Sequence, residues 1–272
     1  MGEANPSESK IKSFQHKIFQ FYKQNTRDLP WRNTTDPYKI LVSEFMLQQT
    51  QVNRVITYYK KWMKKWPTVY KLADEEYKNV LQAWMGLGYN RRAMYLHQSA
   101  KVIAHEFKGD VLQAVHHFDK LPGIGLYTCK AIQIFAANEN IATVDTNIRR
   151  ILINEFNLKE SISDKDLFQL AERCLPKARS RDWHNALMDY GAIYLTSKKT
   201  GIKPKTKQSK FDGSDRQIRG KILRMLLNDQ QSEYQLEQKL QIDSKRLSKI
   251  LVKMKKEGTV SKTDSFYHVP ER

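Results

Sequence analysis

Two acidic residues stand in surroundings that suit a carboxylate for chemistry. Glu44 lies in the apolar stretch Ile40-Leu41-Val42-Ser43-Glu44-Phe45-Met46-Leu47. An acid flanked in this way is partly desolvated, which raises its pKa and suits it to donate a proton near neutrality. Asp145 lies in Val144-Asp145-Thr146-Asn147-Ile148-Arg149-Arg150, twenty residues beyond Gly125. One protonated and one ionised carboxyl are what cleavage of a glycosidic bond needs. The first protonates the leaving group, and the second stabilises the oxocarbenium-like sugar. Both residues also have ordinary alternatives: Glu44 as a solvated or ion-paired helix residue, Asp145 as the N-cap of a helix running to Phe156.

Between the two acids lies Leu121-Pro122-Gly123-Ile124-Gly125-Leu126-Tyr127-Thr128. Glycines one residue apart let the backbone turn tightly and approach another surface, and the helix that follows presents free N–H groups at its N-terminus. Such a hairpin suits a phosphate oxygen; alone it reads equally as a glycine-stopped turn between helices. The charge favours the phosphate. The 272 residues carry 47 Lys+Arg against 29 Asp+Glu, a net +18, which points to a polyanionic partner, nucleic acid before acidic lipid.

The elements that must position these residues are helical. Apolar spacings of three and four predict helices over Ile11–Tyr22, Lys39–Gln51, Val55–Trp66, Glu75–Met85, Arg91–Phe107, Val111–His117, Tyr127–Phe135, Asn147–Phe156, Asp164–Cys174 and Trp183–Leu195. Leu29-Pro30-Trp31-Arg32 with Asp36-Pro37-Tyr38 reads as a stiff extended connection, since prolines disfavour helix. Residues 1–195 therefore read as an all-α domain. Residues 196–215 are rich in lysine, glycine, proline and serine and read as a basic linker. Beyond it, helices over Ile218–Leu227, Glu233–Leu240 and Arg246–Lys256 precede a short hairpin at 259–269. That order is the winged-helix arrangement, expected over residues 216–272.

Composition excludes several classes. No stretch reaches the ~18 apolar residues of a membrane span. Met1 to Lys10 lacks the apolar core of a secretory signal and the myristoylation pattern. Two cysteines, Cys129 and Cys174, are too few for a disulfide framework and fit a reducing compartment. A cytoplasmic location is expected, at the nucleoid in a prokaryote. The seven histidines show no zinc-ligand spacing, so no metal is expected.

Leu121–Thr128 followed by Val144–Asn147 resembles the helix-hairpin-helix and catalytic aspartate signature of the endonuclease III superfamily of DNA glycosylases. Leu29-Pro30-Trp31-Arg32, Ser43–Val52 and Gly86-Leu87-Gly88-Tyr89 further resemble MutY-type adenine glycosylases, the likeness spanning about residues 14–195. The resemblance implies a two-lobed helical core acting on double-stranded DNA with a mismatched or damaged base. Glu44 would then protonate the departing purine at N7, and Asp145 would stabilise the sugar cation. Tyr127 and Asn147 would orient them. Gln49 and Tyr89 would wedge into the duplex and face the unpaired base, Gln48 and Thr50 would also contact DNA, and Gly123 with Gly125 would grip phosphate. A monomer excising adenine opposite guanine or 8-oxoguanine is expected.

The chain departs from the pattern in informative ways. Relatives that also cleave the strand carry lysine at position 127, whose amine forms a Schiff base; Tyr127 has none, so excision without efficient lyase activity is expected. Most relatives bind an iron–sulfur cluster through four cysteines after the catalytic region. None occurs there, so the cluster is expected to be absent. The winged helix stands where MutY enzymes usually carry an 8-oxoguanine module. Thymine or uracil mismatch glycosylases share Tyr127-Thr128-Cys129 and both acids and form the alternative. A non-catalytic DNA-binding protein is a third reading, opposed by the presence of both Glu44 and Asp145.

Overall fold

A computed structural model of the chain describes residues 6–203 and 210–271; the middle of the expected linker, 204–209, lies outside the described residues. In chain order the helices are α1 (Glu8–Asn25), α2 (Pro37–Leu47), α3 (Val52–Lys65), α4 (Val69–Ala73) and α5 (Tyr77–Trp84). There follow α6 (Arg91–Glu106), α7 (Val111–Val115), α8 (Leu126–Ile132), α9 (Thr146–Glu155), α10 (Asp164–Arg173), α11 (Ser180–Asp189) and α12 (Ser197–Thr200). The C-terminal part holds α13 (Asp215–Asn228), α14 (Glu233–Leu240) and α15 (Ser244–Lys256). With them are strands β1 (Gln231–Ser232), β2 (Ser261–Thr263) and β3 (Phe266–His268), antiparallel in the order β1-β3-β2. The fold is helical, as expected. No described helix is long and apolar enough to cross a membrane.

Three local readings differ from expectation. The prolines start helical turns instead of preventing them. Pro30 opens a 3-10 turn and Pro37 opens α2, where a missing N–H costs nothing, and the Asp36 carboxylate accepts from the N–H of Tyr38 (2.9 Å). The helix expected over Lys39–Gln51 stops at Leu47, so Gln48, Gln49 and Gln51 are not surface-helix residues. The helices expected to reach Phe135 and Leu195 finish in π turns, Gln133–Ala137 and Tyr190–Tyr194. In the second of these the Leu195 N–H reaches back to the Tyr190 carbonyl.

The chain divides into two compact units, Met1–Leu41 with Ile124–Lys207 and Val42–Gly123 with Gln208–Arg272. In the first, Ile11, Phe14 and Ile18 form the buried stripe of α1, and Phe14 meets Phe156 and Trp183 edge-on at 5.1 and 5.5 Å. Such pairs add about 1 kcal/mol each to their burial. Asp189, wholly buried on α11, is held by Arg32 through two hydrogen bonds (2.7 and 2.8 Å) and by Arg27 Nε. Arg32 of the Leu-Pro-Trp-Arg stretch thus has a structural partner that fixes the chain between α1 and α2.

The second unit is built around Trp62, Trp66 and Trp84, which pack edge to face. The C-terminal residues belong to this unit: α13 packs on α5 and β3, and α15 turns Leu247, Ile250, Leu251 and Met254 inward.

Candidate active site

In the first unit Asp145 is the N-cap of α9, and the cap does not exhaust its surroundings. Oδ1 accepts the N–H of Ile148 at 2.7 Å and Oδ2 accepts Asn147 Nδ2 at 3.0 Å. The Asn147 amide is itself oriented, because Arg150 Nη2 donates to its Oδ1 at 2.8 Å. Arg150 also donates Nε to the Leu195 carbonyl (2.7 Å) and Nη2 to that of Gly191 (3.1 Å), both at the π turn. The backbone at Gly191 comes close to α9: a Cβ there would meet Asn147 Cβ and Ile151 Cδ1 at 3.2 Å.

Burial pushes the Asp145 carboxyl pKa up, while the Ile148 and Asn147 donors and the Arg150 charge pull it down. A desolvated carboxylate whose donors are fixed in advance is suited to face a positive charge developing beside it.

Tyr127 stands half-buried in the first turn of α8. The two hairpin glycines differ. Gly123 is left-handed (φ +78°), and a Cβ would meet Tyr95 at 2.8 Å and Phe45 at 3.0 Å. Gly125 is the N-cap of α8 with φ −104°, and nothing lies within 4 Å of where a Cβ would be. Gly123 is required by the fold; Gly125 leaves bare backbone at a helix N-terminus, where an anion can approach.

In the second unit Glu44 is a half-buried residue of α2 between buried Ser43 and Phe45. Gln48 and Gln49 follow the helix, with exposed Gln49 in the left-handed position (φ +56°) where glycine usually ends a helix. Tyr89 is likewise left-handed (φ +47°). Each such non-glycine residue costs about 1 kcal/mol. Thr50 Oγ1 donates to the Leu87 carbonyl at 3.2 Å, so the α2 end and the Gly86–Tyr89 loop are joined.

The hub of that junction is Arg92, which sequence reasoning missed. Nη1 donates to the carbonyls of Phe45 (2.6 Å) and Met46 (3.0 Å), and Nη2 donates to Thr50 Oγ1 (2.9 Å) and the Gly88 carbonyl (3.0 Å). Its signal in the sequence is a cation in an apolar stripe, at helical spacing with Leu96, Ala100 and Ile103. Arg150, inside the run Ile148–Ile153, carries a similar one.

Cys129 and Cys174 are both buried and in no disulfide, and burial raises both thiols, Cys174 to about 12. Two protonated thiols do not fit an iron–sulfur cluster, which needs four thiolates. No group of three or more metal-ligating side chains occurs among the described residues.

The HhH-GPD superfamily of base excision DNA repair proteins has a family model that matches residues 42–177, a span holding Glu44, Tyr127 and Asp145. The chain belongs to this superfamily. It is 36% identical over 231 residues to the adenine DNA glycosylase of Mycolicibacterium smegmatis, covering 77% of this chain and 79% of that protein. The human adenine DNA glycosylase is 34% identical over 201 residues, 69% of this chain and 37% of its own length. Among solved structures, a thermostable thymine-DNA glycosylase matches at 31% identity and a TM-score of 0.63, with 71% of this chain and 94% of that chain covered. A trapped endonuclease III–DNA covalent intermediate matches at 16% identity with a TM-score of 0.63, a likeness of fold.

Proposed function

We propose that the chain is an adenine DNA glycosylase of base excision repair, hydrolysing the N-glycosidic bond of adenine mispaired with guanine or 8-oxoguanine in duplex DNA. The observation that carries the reading is the half-buried Asp145 carboxylate, held by Ile148 and by the Asn147–Arg150 pair at the head of α9. Membership of the superfamily, and relatives named adenine DNA glycosylase at 32–36% identity, support the substrate.

The target nucleotide must leave the stack, at about a few kcal/mol, because its glycosidic bond is inaccessible in the duplex. Glu44 gives its proton to adenine N7. The C1′–N9 bond then breaks with its electron pair going to the base, and Asp145 stabilises the cation left on the sugar. Water adds to C1′ and releases a proton. Adenine suits this chemistry because its N7 is a basic ring nitrogen, whereas thymine leaves as an anion. Tyr127 has no amine to form a Schiff base, so the product is an abasic site in an uncut strand. Bare backbone at Gly125 receives a phosphate, while Gln48, Gln49, Thr50 and Tyr89 meet the duplex. No step requires a metal or an iron–sulfur cluster, and the protein acts as a monomer.

The likeness to a thymine-DNA glycosylase at 31% identity supports a second reading, excision of thymine or uracil opposite guanine. A single-turnover assay on A·G, A·8-oxoG, T·G and U·G duplexes, with and without alkali, separates them. Alkali-dependent cleavage at adenine is expected. Excision of thymine in its place overturns the substrate, and strand scission without alkali overturns the subtype.

A further inference from the structure

Within the second unit the C-terminal helices reach one of the residues read above as facing DNA. Arg216, in the first turn of α13, donates Nη1 to the Tyr89 hydroxyl at 2.5 Å, and its guanidinium carbon lies 5.4 Å from the ring centre. Arg92 lies 5.6 Å from the same ring. A second tie runs beside the first. Glu257, at the end of α15, binds Arg219 of α13 and lies 3.6 Å from Arg91 Nη1. Arg219 follows Arg216 by three residues, one face of a helix, and Arg91 follows Tyr89 by two. The contacts therefore grip one short segment, 89–91, at Tyr89 directly from α13 and at Arg91 through Glu257, which Arg219 of α13 holds in turn.

Tyr89 needs such a grip. Its backbone is left-handed, and its neighbour Gly88 is anchored through its carbonyl by Trp84 Nε1 (3.1 Å) and Arg92. An anchored backbone leaves a tyrosine free to swing about two side-chain torsions, and the hydrogen bond to its far end removes that freedom. A ring fixed at both ends can reject a base that a mobile ring would accommodate.

We propose that Arg216 is a positioning residue for Tyr89, so that the C-terminal helices take part in discriminating the base opposite the excised adenine. This rests on the reading of Tyr89 as a duplex-facing residue. The test compares single-turnover excision from A·G and A·C duplexes by the full chain and its Arg216→Ala, Arg216→Lys, Tyr89→Phe and Tyr89→Ala variants. Arg216→Ala and Tyr89→Phe should each lower the A·G to A·C rate ratio by about fivefold to tenfold, the scale of the net contribution of one hydrogen bond. The double variant should lose no more than either single one, and lysine should restore part of the ratio. A structural role alone would lower the thermal midpoint and both rates together, leaving the ratio as it was. Tyr89→Phe, which keeps the packing, carries the test if Arg216→Ala unfolds the tail. An unaltered ratio in Arg216→Ala and Tyr89→Phe with a collapsed one in Tyr89→Ala overturns the positioning role. An unaltered ratio in Tyr89→Ala overturns the reading of Tyr89 itself.

Discussion

Arg150 and Arg92 are both buried guanidiniums that donate to backbone carbonyls, and they serve different ends. Arg150 passes its influence to a charge: it orients Asn147, which holds Asp145, and its own field favours the ionised carboxylate. Arg92 binds the carbonyls that end α2 and those of the Leu87–Gly88 turn, with the Thr50 hydroxyl between them. Burial lowers the Arg92 pKa to about 10, which leaves it charged at neutrality, its hydrogen bonds running to backbone carbonyls and the Thr50 hydroxyl. One arginine tunes an acid and the other fixes a shape. In this protein the first unit bears the tuned charge, and the second presents the fixed surface.

The sharpest way to break that contrast is at the acids themselves. Asp145→Asn should lower single-turnover excision by about a thousandfold or more, with duplex affinity nearly unchanged. Glu44→Gln should cost about a hundredfold to ten-thousandfold, the range of general acid catalysis. Turnover retained by either variant would remove that residue from the mechanism.

Next come the arginines. Arg92→Met should lower unfolding stability by about 3 kcal/mol, because it strands several buried carbonyls at once; denaturant titration reads this. Arg150→Met should act instead on the pH profile. In the proposed mechanism Asp145 works as the carboxylate, so the rate should fall as pH drops through its pKa, which desolvation has already raised. Removing the Arg150 charge raises that pKa further. The acid limb should therefore move to higher pH in Arg150→Met and stay put in Arg92→Met. Equal acid limbs in the two variants would erase the distinction.

The smallest effects belong to the hairpin. Gly123→Ala should destabilise by about 2 kcal/mol, from left-handed backbone and the clash with Tyr95 and Phe45. Gly125→Ala meets open space and should change stability by less than about 1 kcal/mol while weakening duplex affinity. Matching losses of stability at the two positions would show that Gly125 also serves the fold.

Much of this was legible in the residues because it is local. The cap at Asp145, the apolar stripe of α1 and the helix start at Asp164 each arise from side chains within four residues of one another. The three C-terminal helices and the β2–β3 hairpin were legible for the same reason. The stop of α2 at Leu47 was not. No glycine or proline marks a stop in Gln48–Gln51, and the contact found at the helix end comes from Arg92, more than forty positions away, which binds the Phe45 and Met46 carbonyls. Short α12 inside the lysine-rich stretch and β1 before α14 were missed because neither has enough residues to show a period.

By itself the sequence determined the helices, the sign of the surface charge and the residue types able to protonate a base or face a cation, since each depends on a few neighbouring side chains. Only the tertiary structure decided that half-buried Asp145 has its carboxyl pKa raised, that Arg150 rather than Arg149 reaches Asn147, and that residues 210–271 share a unit with residues 42–123. The reason is physical. Desolvation and long-range hydrogen bonds are set by which distant segments close around a group, and no window of sequence contains those segments together.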